Sequence, residues 1–154
     1  MVTFYLVVSF AYSQQIKFKS FTTNNGLSNN SVVDIENDSD GGLWIATWDG
    51  LNYFNGQGFI TYKHNIKDKN SIPGNYISHL YKDTKGGIWI QTDESKICKY
   101  LGNNQFQNFT FSAPVSYLAI SSNGNAIVKV GTLYYEFVNN KFIKSTSKVI
   151  HKER

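Results

Sequence analysis

One pattern recurs along this chain at a fixed distance, and it limits the available folds more than any other feature. Between Asp38 and Phe59 stand Gly41-Gly42 and then Leu43-Trp44-Ile45; between Lys82 and Phe106 the same order returns as Gly86-Gly87 and Ile88-Trp89-Ile90. Gly42 to Gly87 is a step of 45 residues, and Asp38 meets Asp83 and Thr47 meets Thr92 at the same step. A period in the forties built from short alternating apolar runs is the signature of a propeller blade or a similar β repeat. The expected fold is therefore all-β, with β-propeller blades of four antiparallel strands.

Strands and turns can be placed by alternation and punctuation. In the first unit, blade 1 over residues 32–63, strands are expected at 32–35, 43–48, 51–54 and 59–63, joined by hairpins at 37–42, 49–50 and 55–58. A linker over residues 64–75 leads to blade 2 over residues 76–112, with strands at 76–81, 88–92, 96–100 and 106–111. Leu51 aligns with Ile97, so the turn after Thr92 has gained one residue. Residues 113–144 keep the rhythm as a degenerate blade 3, in which Ile127 replaces Trp89 at a step of 38. Ahead of the repeats, residues 16–31 form a leading strand (IKFKSFT) and a connector; such strands often close a ring by pairing with its last blade. A polar tail fills residues 145–154.

Two clear blades and one degenerate blade make an incomplete propeller, because rings close with about four to eight blades and each blade needs neighbours on both faces. The reading expects either a piece of a longer protein or assembly with further chains. Met1–Ser13 is an apolar run ending Ala11-Tyr12-Ser13 before Gln14-Gln15, which reads as a signal peptide cleaved before Gln14 and places the protein in the periplasm. It lacks the usual basic start; a buried strand is the other reading. No later apolar run approaches the roughly 20 residues of a transmembrane helix.

Composition closes off other classes. The net charge is +4 over 154 residues, but the lysines are scattered and form no basic stripe, so no nucleic-acid partner is expected. Cys98 is the one cysteine, which rules out an internal disulfide and leaves a packed side chain as the plain reading. His64, His79 and His151 show no metal-ligand spacing. Nothing matches a nucleophile elbow or a phosphate loop, so the expectation is no catalytic residue, no cofactor and no metal.

The stretch GLSNNSVVDIENDSDGGLWIATWDGLNYFNGQGFITY resembles the two-component regulator propeller repeat. The residues that carry the likeness are Gly26-Leu27-Ser28, Val33, Ile35, Asp38, Gly42, Leu43-Trp44-Ile45, Thr47, Asp49-Gly50-Leu51, Tyr53, Gly56, Phe59 and Tyr62. The resemblance weakens in the second unit, where Asp93-Glu94-Ser95-Lys96 replaces Asp-Gly-Leu, and fades in the third. WD-type and kelch-type propellers are poorer matches, for want of a Gly-His partner and of kelch-type spacing. The resemblance implies the periplasmic sensor portion of a hybrid two-component regulator linked to carbohydrate sensing, with an oligosaccharide as ligand and a kinase elsewhere in the full protein. Two other classes stay open: a secreted, self-assembling lectin-like propeller, and a hydrolase or lyase propeller whose catalytic blade lies elsewhere.

Six positions are expected to serve the repeat itself: Asp38, Gly42 and Trp44, with Asp83, Gly87 and Trp89. The two aspartates should bond turn amides, and the two tryptophans should be core. Trp48 breaks the repeat, since Asp93 stands at its equivalent, and it is the candidate for stacking on a ligand.

Overall fold

The structure is a computed structural model that describes residues 17–93 and 96–145. The expected leader and all but Ser145 of the expected tail lie outside these residues. The described chain forms twelve strands in three four-stranded antiparallel sheets, each a meander in chain order. The first holds β1 (Val32–Asn37), β2 (Leu43–Thr47), β3 (Gly50–Phe54) and β4 (Phe59–Tyr62). The second holds β5 (Ile77–Lys82), β6 (Ile88–Thr92), β7 (Ile97–Gly102) and β8 (Gln105–Phe109); the third holds β9 (Val115–Ile120), β10 (Ala126–Val130), β11 (Leu133–Val138) and β12 (Lys141–Lys144).

The blades stack face to face because alternate residues of each strand bury on opposite sides. The front of blade 1 (Trp44, Ala46, Leu51, Tyr62) closes on the back of blade 2 (Leu80, Ile88, Ile90, Cys98, Phe106). The front of blade 2 (Trp89, Ile97) closes on the back of blade 3 (Leu118, Val128, Phe137, Phe142). Ile72, from the loop between the first two sheets, is fully buried in the first of these cores. Cys98 is fully buried as well. The first strands run side by side: the Asp34 carboxylate accepts the Leu80 amide of the next blade at 2.9 Å. Each carries a register shift near its start, between Val32 and Asp34, between Ile77 and His79, and opposite Lys129 and Val130. No helix among the described residues is long and apolar enough to cross a membrane.

Two expectations need correction. Residues 17–22 form no strand; Thr22 instead caps a 3-10 turn at Thr23–Asn25, accepting the Asn24 amide at 3.3 Å. Alternation supplies a face but not a partner, and no strand edge pairs with this segment among the described residues. Trp48 lies past the end of β2, not within it. Thr47 holds that turn: its hydroxyl donates to Gly50 O at 2.8 Å and accepts the Asp49 amide at 3.2 Å.

Candidate ligand-binding face

Each blade opens with the same hairpin, which fixes which side chains reach the surface. In blade 1 Asp38 N bonds Gly42 O at 2.9 Å, in blade 2 Asp83 N bonds Gly87 O at 2.9 Å, and in blade 3 Ser121 N bonds Asn125 O at 2.9 Å. The turns pass through Gly41, Gly86 and Gly124 at φ of 87°, 81° and 84°, a region that costs side-chain-bearing residues but not glycine.

Inside this turn the repeat positions form one bonded unit. The Trp44 indole donates to Asp38 Oδ1 at 3.1 Å, and the Trp89 indole to Asp83 Oδ2 at 3.1 Å. A third-strand side chain completes each unit: the Tyr53 hydroxyl donates to Asp38 at 3.2 Å, and Lys99 Nζ reaches Asp83 at 3.1 Å. Gly42 and Gly87 make room for it. A Cβ on Gly42 would run into the Tyr53 ring, and one on Gly87 would lie 2.5 Å from Asp83 Oδ2 and 2.7 Å from Lys99 Cε. Burial alone would raise the Asp83 acid, but bonds from Trp89, the Gly87 amide and Lys99 outweigh it and hold the carboxyl below its ordinary range. Both aspartates are occupied by bonds within their own blade. Sequence reasoning placed them on turn amides, which both bond (Asp83 accepts Gly87 N at 2.7 Å and Asp38 accepts Asp40 N at 3.4 Å), but it missed the indole.

With both repeat tryptophans buried, Trp48 remains, and it is 55% exposed. Its amide is tied to Ser31 O at 3.2 Å, and its ring lies flat against Tyr76 across the boundary between blades 1 and 2, with centroids 5.8 Å apart and planes at 20°. Tyr76 is 37% exposed and immediately precedes β5. Asp49 beside it pairs with Lys63 at 2.6 Å, while Asn75 fixes the neighbouring backbone through Gly50 N to Asn75 O at 2.7 Å and His64 N to Asn75 Oδ1 at 2.7 Å. The strand that begins at this platform carries His79, Tyr81 and Lys82, which line a cavity of about 720 Å³ with Asp34 and Tyr117 along the first strands. Flat exposed rings beside charged and amide groups suit a ligand with apolar faces and many hydroxyls, since aromatic area supplies contact and polar groups supply orientation. Tyr76 was not foreseen; its signal is an aromatic residue in the place of Ser31 one repeat earlier.

A second buried polar centre is structural. Asn52, fully buried where blade 2 has Cys98, accepts Ser28 N at 2.9 Å and the Thr61 hydroxyl at 3.1 Å, and donates to Ser28 Oγ at 2.8 Å. It anchors the Gly26-Leu27-Ser28 lead-in to the back of blade 1. Among the described residues, no three His, Cys, Asp or Glu side chains are grouped to hold a metal ion.

The sequence pattern of the two component regulator propeller family matches residues 26–49 and 71–94, the two stretches one 45-residue step apart. Histidine kinase P4 of Formosa agariphila is 50% identical over 62 residues, which is 40% of this chain and 4% of that protein. Among solved structures, the extracellular domain of a hybrid two component system from B. thetaiotaomicron is 29% identical with a TM-score of 0.68, covering 81% of this chain and 19% of that one. A second hybrid-system extracellular domain from that organism is 25% identical with a TM-score of 0.60, covering 87% of this chain and 19% of its own. Streptogramin B lyase (16% identical, TM-score 0.54, covering 73% of this chain and 39% of its own) shares the fold alone. This chain thus spans under a fifth of the two hybrid-system domains and a small part of the curated kinase. The repeat pattern of residues 26–49 and 71–94 and the fold of the described residues are similar to those of these extracellular domains.

Proposed function

We propose that this chain, which carries two-component regulator propeller repeats, is a ligand-reading segment of a periplasmic sensor, and that its ligand is a carbohydrate. The single observation that carries this reading is the exposed, parallel Trp48–Tyr76 pair at a blade boundary. The rings of the two interface cores are spent on packing, whereas this one is held outward by a backbone bond and a braced turn. Sugar rings present apolar C–H faces to such platforms while their hydroxyls pair with nearby amides and charges. The extracellular placement of the similar domains supports export. Binding is this segment's part; phosphotransfer belongs to kinase sequence elsewhere in the full regulator.

The test is a titration of the chain with short oligosaccharides of neutral hexoses and of uronic acids, read by tryptophan fluorescence. Trp48 is the tryptophan in reach of solvent, so a ligand stacked on it should change emission saturably. Trp48→Ala should abolish the change and lower the unfolding midpoint only slightly. Silence across the whole panel, or unchanged binding by Trp48→Ala, overturns the reading.

A further inference from the structure

The interface between blades 2 and 3 holds a polar cavity of about 450 Å³, lined among others by Asp83, Lys85, Lys99, Phe137, Asn139 and Asn140. Three differences from the first interface account for its space and its charge. Lys99 stands where blade 1 has Tyr53, each opposite the repeat tryptophan, so an aliphatic stem replaces a phenol ring. Phe109 stands where blade 1 has Tyr62. The two rings lie alike, Tyr62 at 5.8 Å and 28° from Trp44 and Phe109 at 5.6 Å and 26° from Trp89, but Phe109 carries no hydroxyl. At the first interface that hydroxyl donates to Asn104 Oδ1 at 3.0 Å, so Asn140, the counterpart of Asn104 in the last hairpin of blade 3, lacks that donor. Finally, one 45-residue step replaces Asp40 with Lys85.

The polar groups of this cavity are unequally engaged. The Asp83 carboxylate takes the Trp89 indole, the Gly87 amide and Lys99. Lys85 is exposed and forms no ion pair with a described residue, and the side chains of Asn139 and Asn140 bond no described residue. Two ammonium groups against one carboxylate leave the lining with an excess of one positive charge. Glu136 does not cancel it: it adjoins Phe137 on β11, so it faces the other side of the sheet, where it accepts Asn125 and Asn123.

We propose that this cavity binds a small monocarboxylate that carries hydroxyl groups, with the carboxylate held by Lys85 and Lys99 and the hydroxyls by Asn139 and Asn140. An ammonium acts as a point charge that takes an oxyanion without bidentate geometry, and one excess positive charge matches one carboxylate. Each asparagine amide offers a hydroxyl both donors and an acceptor, and the Asn139-Asn140 turn, at φ of 51° and 61°, presents them side by side. The site stands apart from the Trp48 platform, which lies at the other blade boundary.

The test is an NMR titration of the chain with glucuronate, with glucose as the uncharged counterpart and inorganic phosphate as a more highly charged anion. Glucuronate should shift the amides of Lys85, Asn139 and Asn140 saturably, and glucose should not. Lys85→Glu alters an exposed side chain and should weaken glucuronate binding by about tenfold or more, the worth of one charge-assisted bond. Phe109→Tyr should weaken it as well, because the new hydroxyl would bond Asn140 as Tyr62 bonds Asn104. Absent shifts at these amides, equal shifts with glucose, or unchanged affinity in either variant overturns the proposal. Tighter binding of phosphate than of glucuronate overturns it too, since the site would then select multiple charge. The amides of Trp48 and Tyr76 report in the same titration, so this cavity and the aromatic platform can fail separately.

Discussion

Gly42→Ala tests whether the repeat glycine exists to admit a third-strand side chain. Its φ lies outside the left-handed region, so alanine is sterically allowed by the backbone itself. The obstacle is Tyr53, whose hydroxyl, Cζ and Cε2 are the three atoms nearest a Cβ, the last two at 2.5 Å and 2.6 Å. The ring must move. That strains the hairpin by about 1–3 kcal/mol, as overpacking does, and weakens both the Asp38 bond at 3.2 Å and the contact with Trp44 at 4.8 Å. Replacing glycine recovers about 0.4–1 kcal/mol of unfolded-state entropy, so the expected net loss is about 2 kcal/mol. With Tyr53→Ala in place the clash is gone and the entropy gain remains: Gly42→Ala then stabilises by about 0.5 kcal/mol. Urea denaturation of the four chains, followed by tryptophan fluorescence, yields the coupling energy. A cost of Gly42→Ala that agrees in the two backgrounds to within about 0.5 kcal/mol refutes the argument.

Three further outcomes are expected. Asp83→Asn should cost on the order of 2 kcal/mol at neutral pH; because the folded acid titrates below its unfolded value of about 3.9, the wild-type advantage holds above that value and disappears as pH falls through the folded one. A stability difference that is constant from neutral pH into the acid range would contradict this. Burial pushes the Cys98 thiol up and closes it off, so a thiol reagent should label it only as fast as the chain opens; prompt labelling of native protein rules that out. Trp48→Ala should cost under about 1 kcal/mol and Trp44→Ala about 3–5 kcal/mol, and equal costs measured by denaturation would show that Trp48 is core.

The 45-residue step and the Gly-Gly-x-Trp order made the meander legible, because hairpins and alternation are local properties. What escaped was whatever depends on side chains from different strands. Nothing in a one-dimensional reading joins Asp38 to Trp44 through an indole N–H, or brings Tyr53 and Lys99 to one equivalent point. The leading strand failed for the converse reason: alternation supplies a face, but a pattern cannot supply the edge a strand needs. Trp48 was found by a break in the repeat, whereas Tyr76, its stacking partner, became visible only when two blades were set side by side.

Blade 3 looked worn in the sequence, yet its changes compensate one another. Ser121 replaces the aspartate, Asn125 the glycine and Ile127 the tryptophan, so an aspartate here would have lost its indole donor. The carboxylate has moved to Glu136, which stands opposite Ile127 as Lys99 stands opposite Trp89. It accepts Asn125 Nδ2 at 2.8 Å and Asn123 Nδ2 at 3.0 Å, while Ser121 bonds Asn123 and accepts the Asn125 amide at 3.1 Å. Ser121→Asp alone should therefore destabilise, by on the order of 1 kcal/mol at neutral pH, because two carboxylates would share the same asparagines. Adding Glu136→Lys recreates the Asp83–Lys99 pairing and should recover the loss. If denaturation finds the double variant no more stable than Ser121→Asp, then the third blade has decayed and has not been rewired.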